Sequence, residues 1–318
     1  MKPIRRLPRL LLPSLAGLLI GAAPARATPR HANAVGADSA IHAAAWLVVD
    51  GESGRVLGEH DADAERQPAS LTKLMTAYVV LDALRRGALR LDETLRVDGA
   101  DLADVGQDEA RMYLVAGRSV TVEDLVGGLI VASANDAAMV LARRVGGSRA
   151  GFEQRMNDTA RRLGMTHTHY TTPSGITTPS GITTPSGITT PGNHSTARDL
   201  ATLARRLTAD FPVYYRYSAR QQFVHGSFHK RNKNWLLGSA PGVDGLKTGH
   251  TQAAGYCIVV TARRRQAAPP MARRVFAVVL GAPSASARID AGRRLLDEAY
   301  AQSRDLPGKD GVVTQIVR

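Results

Sequence analysis

The run PASLTKLMTAYVVLDALRRG, residues 68–87, decides how the rest of the chain is read. Leu71 to Leu84 is apolar on nearly every face, holds neither Gly nor Pro, follows Pro68 and stops before Gly87. A segment of that kind predicts a central, largely buried helix. Its first turn carries Ser70 and Lys73, one turn apart on the same face and within reach of a shared proton. A helix start also directs backbone N–H groups and the positive dipole end toward developing negative charge. A serine and a lysine in that position are candidates for nucleophile and base.

Outward from this run the pattern changes class twice. On the N-terminal side, 43–49 is an apolar run, Asp50-Gly51-Glu52-Ser53-Gly54 supplies turn chemistry, and 55–59 returns as a second strand, which predicts a hairpin. On the C-terminal side, helices are expected over 121–132, with Thr121 as N-cap, and over 135–145, 148–163 and 195–207. Short β-rich stretches then follow at 243–251, 255–263 and 274–280. A closing helix is expected over 286–300, with Ile289, Leu295, Leu296 and Ala299 on its inner face. Strands, then helices, then strands, then a helix predict an α+β fold. Its antiparallel sheet would be shared by the first hairpin and the last strands and packed with helices.

Two further short motifs fall in informative places. Ser133-Ala134-Asn135 breaks the chain between two predicted helices, and Lys247-Thr248-Gly249 lies on a predicted strand, where glycine marks close approach to the backbone. A second S-x-x-K, Ser227-Phe228-His229-Lys230, lacks the long helix and is read as a decoy.

The ordered set S-x-x-K, S-x-N and K-T-G resembles that of penicillin-binding proteins and class A β-lactamases. The surrounding residues narrow the resemblance: Pro68 to Met75, Glu123-Asp124-Leu125, Ser133 to Ala137, Ser195 to Leu200 and Val243 to Thr251 are similar to the low-molecular-mass D-alanyl-D-alanine carboxypeptidases. The likeness runs from about Ala43 to Tyr300. It implies a penicillin-binding/β-lactamase-like transpeptidase fold with a helical subregion. The activity implied is serine acyl transfer on the D-Ala-D-Ala ends of peptidoglycan stem peptides, with β-lactam antibiotics as covalent inhibitors and without metal or organic cofactor. In this scheme Ser70 attacks and Lys73, made neutral by burial and by a neighbouring cation expected to be Lys247, accepts the proton. Ser133 relays a proton to the leaving group, Asn135 holds the substrate amide, and Lys247 and Thr248 bind the terminal carboxylate. Gly249 and His250 complete the substrate-binding strand, the backbone N–H groups of Ser70 and His250 forming the oxyanion hole.

Departures leave rivals open. The short stretch after Tyr300 and the run Ala253 to Cys257 resemble the penicillin-binding D,D-endopeptidases, which cut cross-links. A β-lactamase would need a carboxylate placed for rapid deacylation, and none is legible. A non-catalytic wall-binding protein would not require Ser70, Lys73, Ser133 and Lys247 together.

The rest of the chain bounds the setting. The 318 residues, 44% hydrophobic and 22% charged, describe a folded globular protein. Residues 1–27 combine a basic start, the apolar stretch 10–23 and Ala25-Arg26-Ala27, the layout of a secretory signal peptide, and Pro13 argues against a membrane anchor. Arg5-Arg6 leaves the export route open. That segment holds five of the 41 basic residues and no acid, so its removal lowers the net charge from +13 to +8. The remaining arginines are scattered and not interleaved with aromatic residues, which excludes a nucleic-acid reading and favours a periplasmic or cell-envelope protein. Cys257, the only cysteine, forms no internal disulfide and is expected to be a buried strand residue. Residues 28–42 read as a flexible lead-in, 43–303 as the peptidase domain and 304–318 as a tail. Within the domain TTPSGI occurs three times in tandem at 171–188 and ends in Thr189-Thr190-Pro191-Gly192. Pro and Gly every six residues predict an expanded surface loop over 171–192, at a cost of only about 0.6 kcal/mol per doubling of loop length.

Overall fold

The computed structural model describes residues 35–36, 40–176, 193–265 and 272–302. In chain order, β1 (Ala45–Asp50) and β2 (Val56–His60) form the first hairpin, and a 3-10 turn (Ala69–Thr72) leads into α1 (Lys73–Arg85). Next come β3 (Thr94–Arg96), α2 (Gly99–Ala103), β4 (Ser119–Thr121) and α3 (Val122–Gly127), the last running into a π turn (Gly128–Ala132). The helices α4 (Asn135–Gly146), α5 (Arg149–Arg162), α6 (Ala197–Asp210) and α7 (Tyr214–Ser218) follow. A ribbon of β5 (Gln222–His225) and β6 (Phe228–Arg231) precedes β7 (Val243–Thr251), β8 (Gly255–Arg265), β9 (Ala272–Ala282) and α8 (Ala285–Gln302).

The central sheet has the order β2-β1-β9-β8-β7 with every neighbouring pair antiparallel. The first hairpin and the last three strands therefore share one sheet, as the order of elements predicts. Alternation along each strand divides its residues between two cores. Leu47, Val49, Val259, Phe276 and Val278 face the helical side, packed with α1, α4 and α6. Trp46, Val48, Ile258, Val260, Ala277 and Val279 face α8, where Ile289, Leu295, Leu296 and Ala299 close the second core. Because both faces are covered, β8 and β9 read as continuous apolar runs. Cys257 is fully buried and its thiol is unpaired, as expected from its apolar neighbours.

Local capping sets the helix starts. The side chains of Thr121, Ser148 and Thr196 each accept a hydrogen bond from a backbone N–H in the first turn of α3, α5 and α6. Two expectations need correction. The α-helix begins at Lys73, so Ser70 belongs to a 3-10 turn in front of it. The expected helix over 121–132 turns into a π turn after Gly127 and ends at Ser133 in the left-handed conformation (φ 62°). Ser227 sits in the turn between β5 and β6.

Residues 1–27, 304–318 and most of 28–42 lie outside the described residues, as do 177–192 of the repeat segment. Within the stretch read as a lead-in, Val35 is buried against the second core and its N–H donates to Leu57 O. The first TTPSGI copy, Thr171 to Ile176, is described in full.

Candidate active site

Ser70 is presented by the 3-10 turn Ala69–Thr72, whose Ala69 has φ 50°, an uncommon conformation for a residue with a Cβ. Strand β7 packs directly on this turn. A Cβ added to Gly249 would stand 3.1 Å from Ser70 N, Pro68 O and Ala69 Cβ, so a side chain there would push strand and turn apart. The nucleophile candidate and the K-T-G strand are thus held together by a glycine contact.

Lys73, at the start of α1, is 1% exposed, and its Nζ donates to Ser70 Oγ at 3.2 Å and to the carbonyl of Ser174. Burial lowers its pKa to about 7; Glu109 and Asp136 pull the value up and Lys233 pushes it down. Lys233 is thus one cation that depresses Lys73, and Lys247, the one the sequence suggested, is coupled to Lys73 as well, each amine disfavouring the other's charge. Lys247 is itself buried and is held well below its ordinary value, first by desolvation and then by Lys73, Lys233 and Arg288. Its Nζ donates to Ser133 Oγ at 2.8 Å and to Thr248 O at 2.9 Å.

The S-x-N segment is positioned by its break in helical geometry. The π turn and the left-handed Ser133 bring its hydroxyl to Lys247, after which the chain re-enters helix at Asn135. Asn135 is fully buried; its backbone N–H donates to Ala110 O at 2.7 Å and its Nδ2 to Glu109 Oε2 at 2.6 Å. The Oδ1 atom of the same amide has no hydrogen-bond partner among the described residues. Asp136 anchors the segment by accepting hydrogen bonds from the N–H groups of Met112, Leu114 and Ala137. The connection from α2 to β4 is in this way fastened beside the site.

A cleft of about 300 Å³ opens over these groups, lined in part by Ser70, Ser133, Glu109, Thr248 and His250, with Lys73, Lys247 and Asn135 buried behind it. The His250 ring stacks on Tyr256 with centroids 3.9 Å apart, and burial, Arg288 and Lys233 lower its pKa. Arg288, from α8, donates to Gly249 O at 3.1 Å. Ile176, from the first TTPSGI copy, also lines the cleft, and Thr76 donates to the carbonyl of Pro173.

All of the residues singled out from sequence, Ser70, Lys73, Ser133, Asn135, Lys247, Thr248, Gly249 and His250, come together here. Ser227 is absent from the lining. Glu109, Asp136, Lys233 and Arg288 were not singled out. Asp136 directly follows S-x-N and was within reach of sequence reasoning, whereas Glu109 and Lys233 lie in aperiodic stretches with no local signal. Among the described residues no group of His, Cys, Asp or Glu side chains is arranged to hold a metal.

A family model described as D-alanyl-D-alanine carboxypeptidase matches residues 31–284. D-alanyl-D-alanine carboxypeptidase DacC of Escherichia coli is 37% identical over 261 residues, covering 80% of this chain and 60% of that protein. DacD of the same species is 35% identical over 268 residues, covering 80% and 62%. The chain thus spans about three fifths of the length of these relatives. Among solved structures, ampicillin-bound penicillin-binding protein D2 from Listeria monocytogenes superposes with TM-score 0.70 at 32% identity, covering 83% of this chain and 99% of that one. Penicillin-binding protein 6B from Escherichia coli gives 0.73 at 36% identity, covering 82% and 78%.

Proposed function

The chain belongs to the D-alanyl-D-alanine carboxypeptidase family, and from that membership we propose that it removes the terminal D-Ala from peptidoglycan stem peptides through an acyl-enzyme on Ser70. Ser70 Oγ attacks the carbonyl of the penultimate D-Ala while Lys73 Nζ takes its proton. The C–N bond to the last D-Ala then breaks, and the proton taken by Lys73 passes through Ser133 to the leaving nitrogen, which leaves Lys73 neutral again. Water hydrolyses the ester, with Lys73 acting again as base. Lys247 and Thr248 take the substrate carboxylate, whose charge stabilises a protonated Lys247. Asn135 Oδ1, a buried acceptor, is available to an N–H of the substrate peptide. A β-lactam enters the same steps, its ring amide in place of the scissile bond.

The single observation that carries this reading is the Lys73–Ser70 pair: a fully buried amine with a pKa of about 7, 3.2 Å from a hydroxyl at the cleft. A serine hydroxyl is inert at neutral pH without such a base. The basic, apolar start of the chain, 1–27, supports export to the cell envelope. No helix among the described residues is long and apolar enough to cross a membrane.

Mass spectrometry with a labelled penicillin, together with release of D-Ala from a peptide ending in D-Ala-D-Ala, tests the reading. The expected result is one adduct on Ser70 and release of one D-Ala per peptide, both lost in Ser70→Ala. An adduct that survives Ser70→Ala, or no adduct and no D-Ala release from the wild type, would overturn it. Rapid multiple turnover of the penicillin would instead favour a β-lactamase.

A further inference from the structure

Away from the active-site cleft, the C-terminal end of α1 borders another cavity, of about 670 Å³. Leu81 and Leu84 from α1, Leu89 and Leu91 from the segment after it, and Phe211 and Val213 from the α6–α7 junction give it an apolar wall. Arg85, on its rim, closes α1 at the end opposite Lys73, about 18 Å along the helix axis. No residue lines both this cavity and the cleft. Its volume falls within the range of about 300–1,000 Å³ found for small-molecule sites, which are likewise mostly apolar with a few placed polar groups.

Two observations define what would fit. The first is charge. Arg85 is paired with Asp82, Arg90 with Asp92, and Asp210 accepts from Tyr78 and Arg206. The charged groups around the cavity are thus satisfied within the protein, and an ionised ligand would have to displace one of these pairs. The second is Tyr217, from α7. It lines the cavity, is 0% exposed, and its hydroxyl has no hydrogen-bond partner among the described residues. The hydroxyls of Tyr214 and Tyr215 are also unpartnered, but those residues do not line the cavity. Burial and then the Glu123 carboxylate raise the pKa of Tyr217, so the phenol keeps its proton and can donate it. A buried donor left unpaired costs free energy that a bound acceptor recovers. Water could meet that one hydroxyl but would face apolar side chains over most of the remaining wall.

We propose that this cavity is a non-catalytic binding site for a compact neutral molecule, apolar over most of its surface and bearing one hydrogen-bond acceptor that meets the Tyr217 hydroxyl. The inference does not depend on the proposed peptidase activity.

Benzophenone, neutral and apolar with one carbonyl, is the probe, and diphenylmethane, which lacks that oxygen, is its control. Methyl NMR of the leucine-labelled full chain follows Leu81, Leu84, Leu89 and Leu91. Benzophenone is expected to shift these methyls saturably while leucines remote from the cavity stay in place, and diphenylmethane is expected to bind more weakly. Tyr217→Phe should lower the affinity for benzophenone about three- to tenfold, the range of one hydrogen bond, and change that for diphenylmethane by less than about twofold. Val213→Trp places a large side chain on the rim at a position that is 42% exposed, outside the packed core, and should abolish binding of both probes. Unfolding midpoints of both variants separate lost binding from lost fold. Absence of saturable shifts in the wild type, shifts centred on leucines elsewhere, or wild-type affinities in a folded Val213→Trp would overturn the site. A preference for benzophenone over diphenylmethane that is unchanged in Tyr217→Phe would overturn the ligand class.

Discussion

Lys247 Nζ donates to Ser133 Oγ at 2.8 Å across 114 positions of the chain, joining the central sheet to the helical region at the cleft. Both partners are buried, Lys247 at 3% and Ser133 at 6% exposure, so the bond is shielded from water. Removing one partner leaves the other without it in a poorly solvated place. Ser133→Ala and Lys247→Ala are each expected to slow penicillin acylation by about 10²- to 10³-fold, in the range of a lost proton-transfer group. The double variant should fall little further, since the two act as one unit. Stopped-flow acylation rates decide it; independent, multiplying losses would show that the two side chains act separately.

The pH dependence of acylation follows from Lys73. The base must be neutral, and burial sets its pKa at about 7, so the acylation rate of free enzyme should rise with pH through an acidic limb centred near 7. The neighbours give the sign of two shifts. Glu109 holds the proton on Lys73, so Glu109→Gln should move the limb to lower pH. Lys233 drives the proton off, so Lys233→Met should move it to higher pH. Rate profiles with a neutral acylating ester would check this, and shifts of one sign in both variants would contradict the assigned charges.

Much of the fold was legible because its elements are long and regularly patterned. The bounds of β7 match the expected 243–251, the inner face of α8 was readable from Ile289, Leu295 and Leu296, and Thr121 caps α3 as expected. The ribbons β3–β4 and β5–β6 were missed because strands of three or four residues show no usable alternation. At the site, motif order brought out the eight residues that converge. Glu109 and Lys233 carry no local pattern, and only tertiary packing, through Asn135 and the β6–β7 segment, delivers them to the cleft. Where Ser70 falls relative to α1 depended on a tight turn at Ala69, and propensity does not report a positive φ at alanine.

Asp136 should matter for stability more than for chemistry. It is 1% exposed and its carboxylate accepts from three backbone N–H groups, fastening the α2–β4 connection to the start of α4. Asp136→Ala leaves those donors buried without an acceptor, at a cost of about 3 kcal/mol. Thermal or urea unfolding should register the loss, with Asp136→Asn milder because one oxygen remains to accept. An unchanged midpoint in Asp136→Ala would mean that the connection is held by other contacts.

Gly249 allows a sharper separation of site from fold. Its φ is ordinary, so alanine is conformationally allowed there, but the added Cβ would meet Ser70 N, Pro68 O and Ala69 Cβ at 3.1 Å. That distance is tight without being prohibitive, and the neighbours must move by a few tenths of an ångström. The atoms that must move belong to the turn that presents the nucleophile. A small displacement of an attacking group is enough to lower its rate about 10²-fold when the geometry is lost by an ångström, and less for a smaller shift. Gly249→Ala is therefore expected to slow acylation of Ser70 by about tenfold or more while shifting the unfolding midpoint by only a few degrees. The reverse result, wild-type acylation with a large loss of stability, would show that the contact between β7 and the Ser70 turn supports the sheet and not the placement of the hydroxyl.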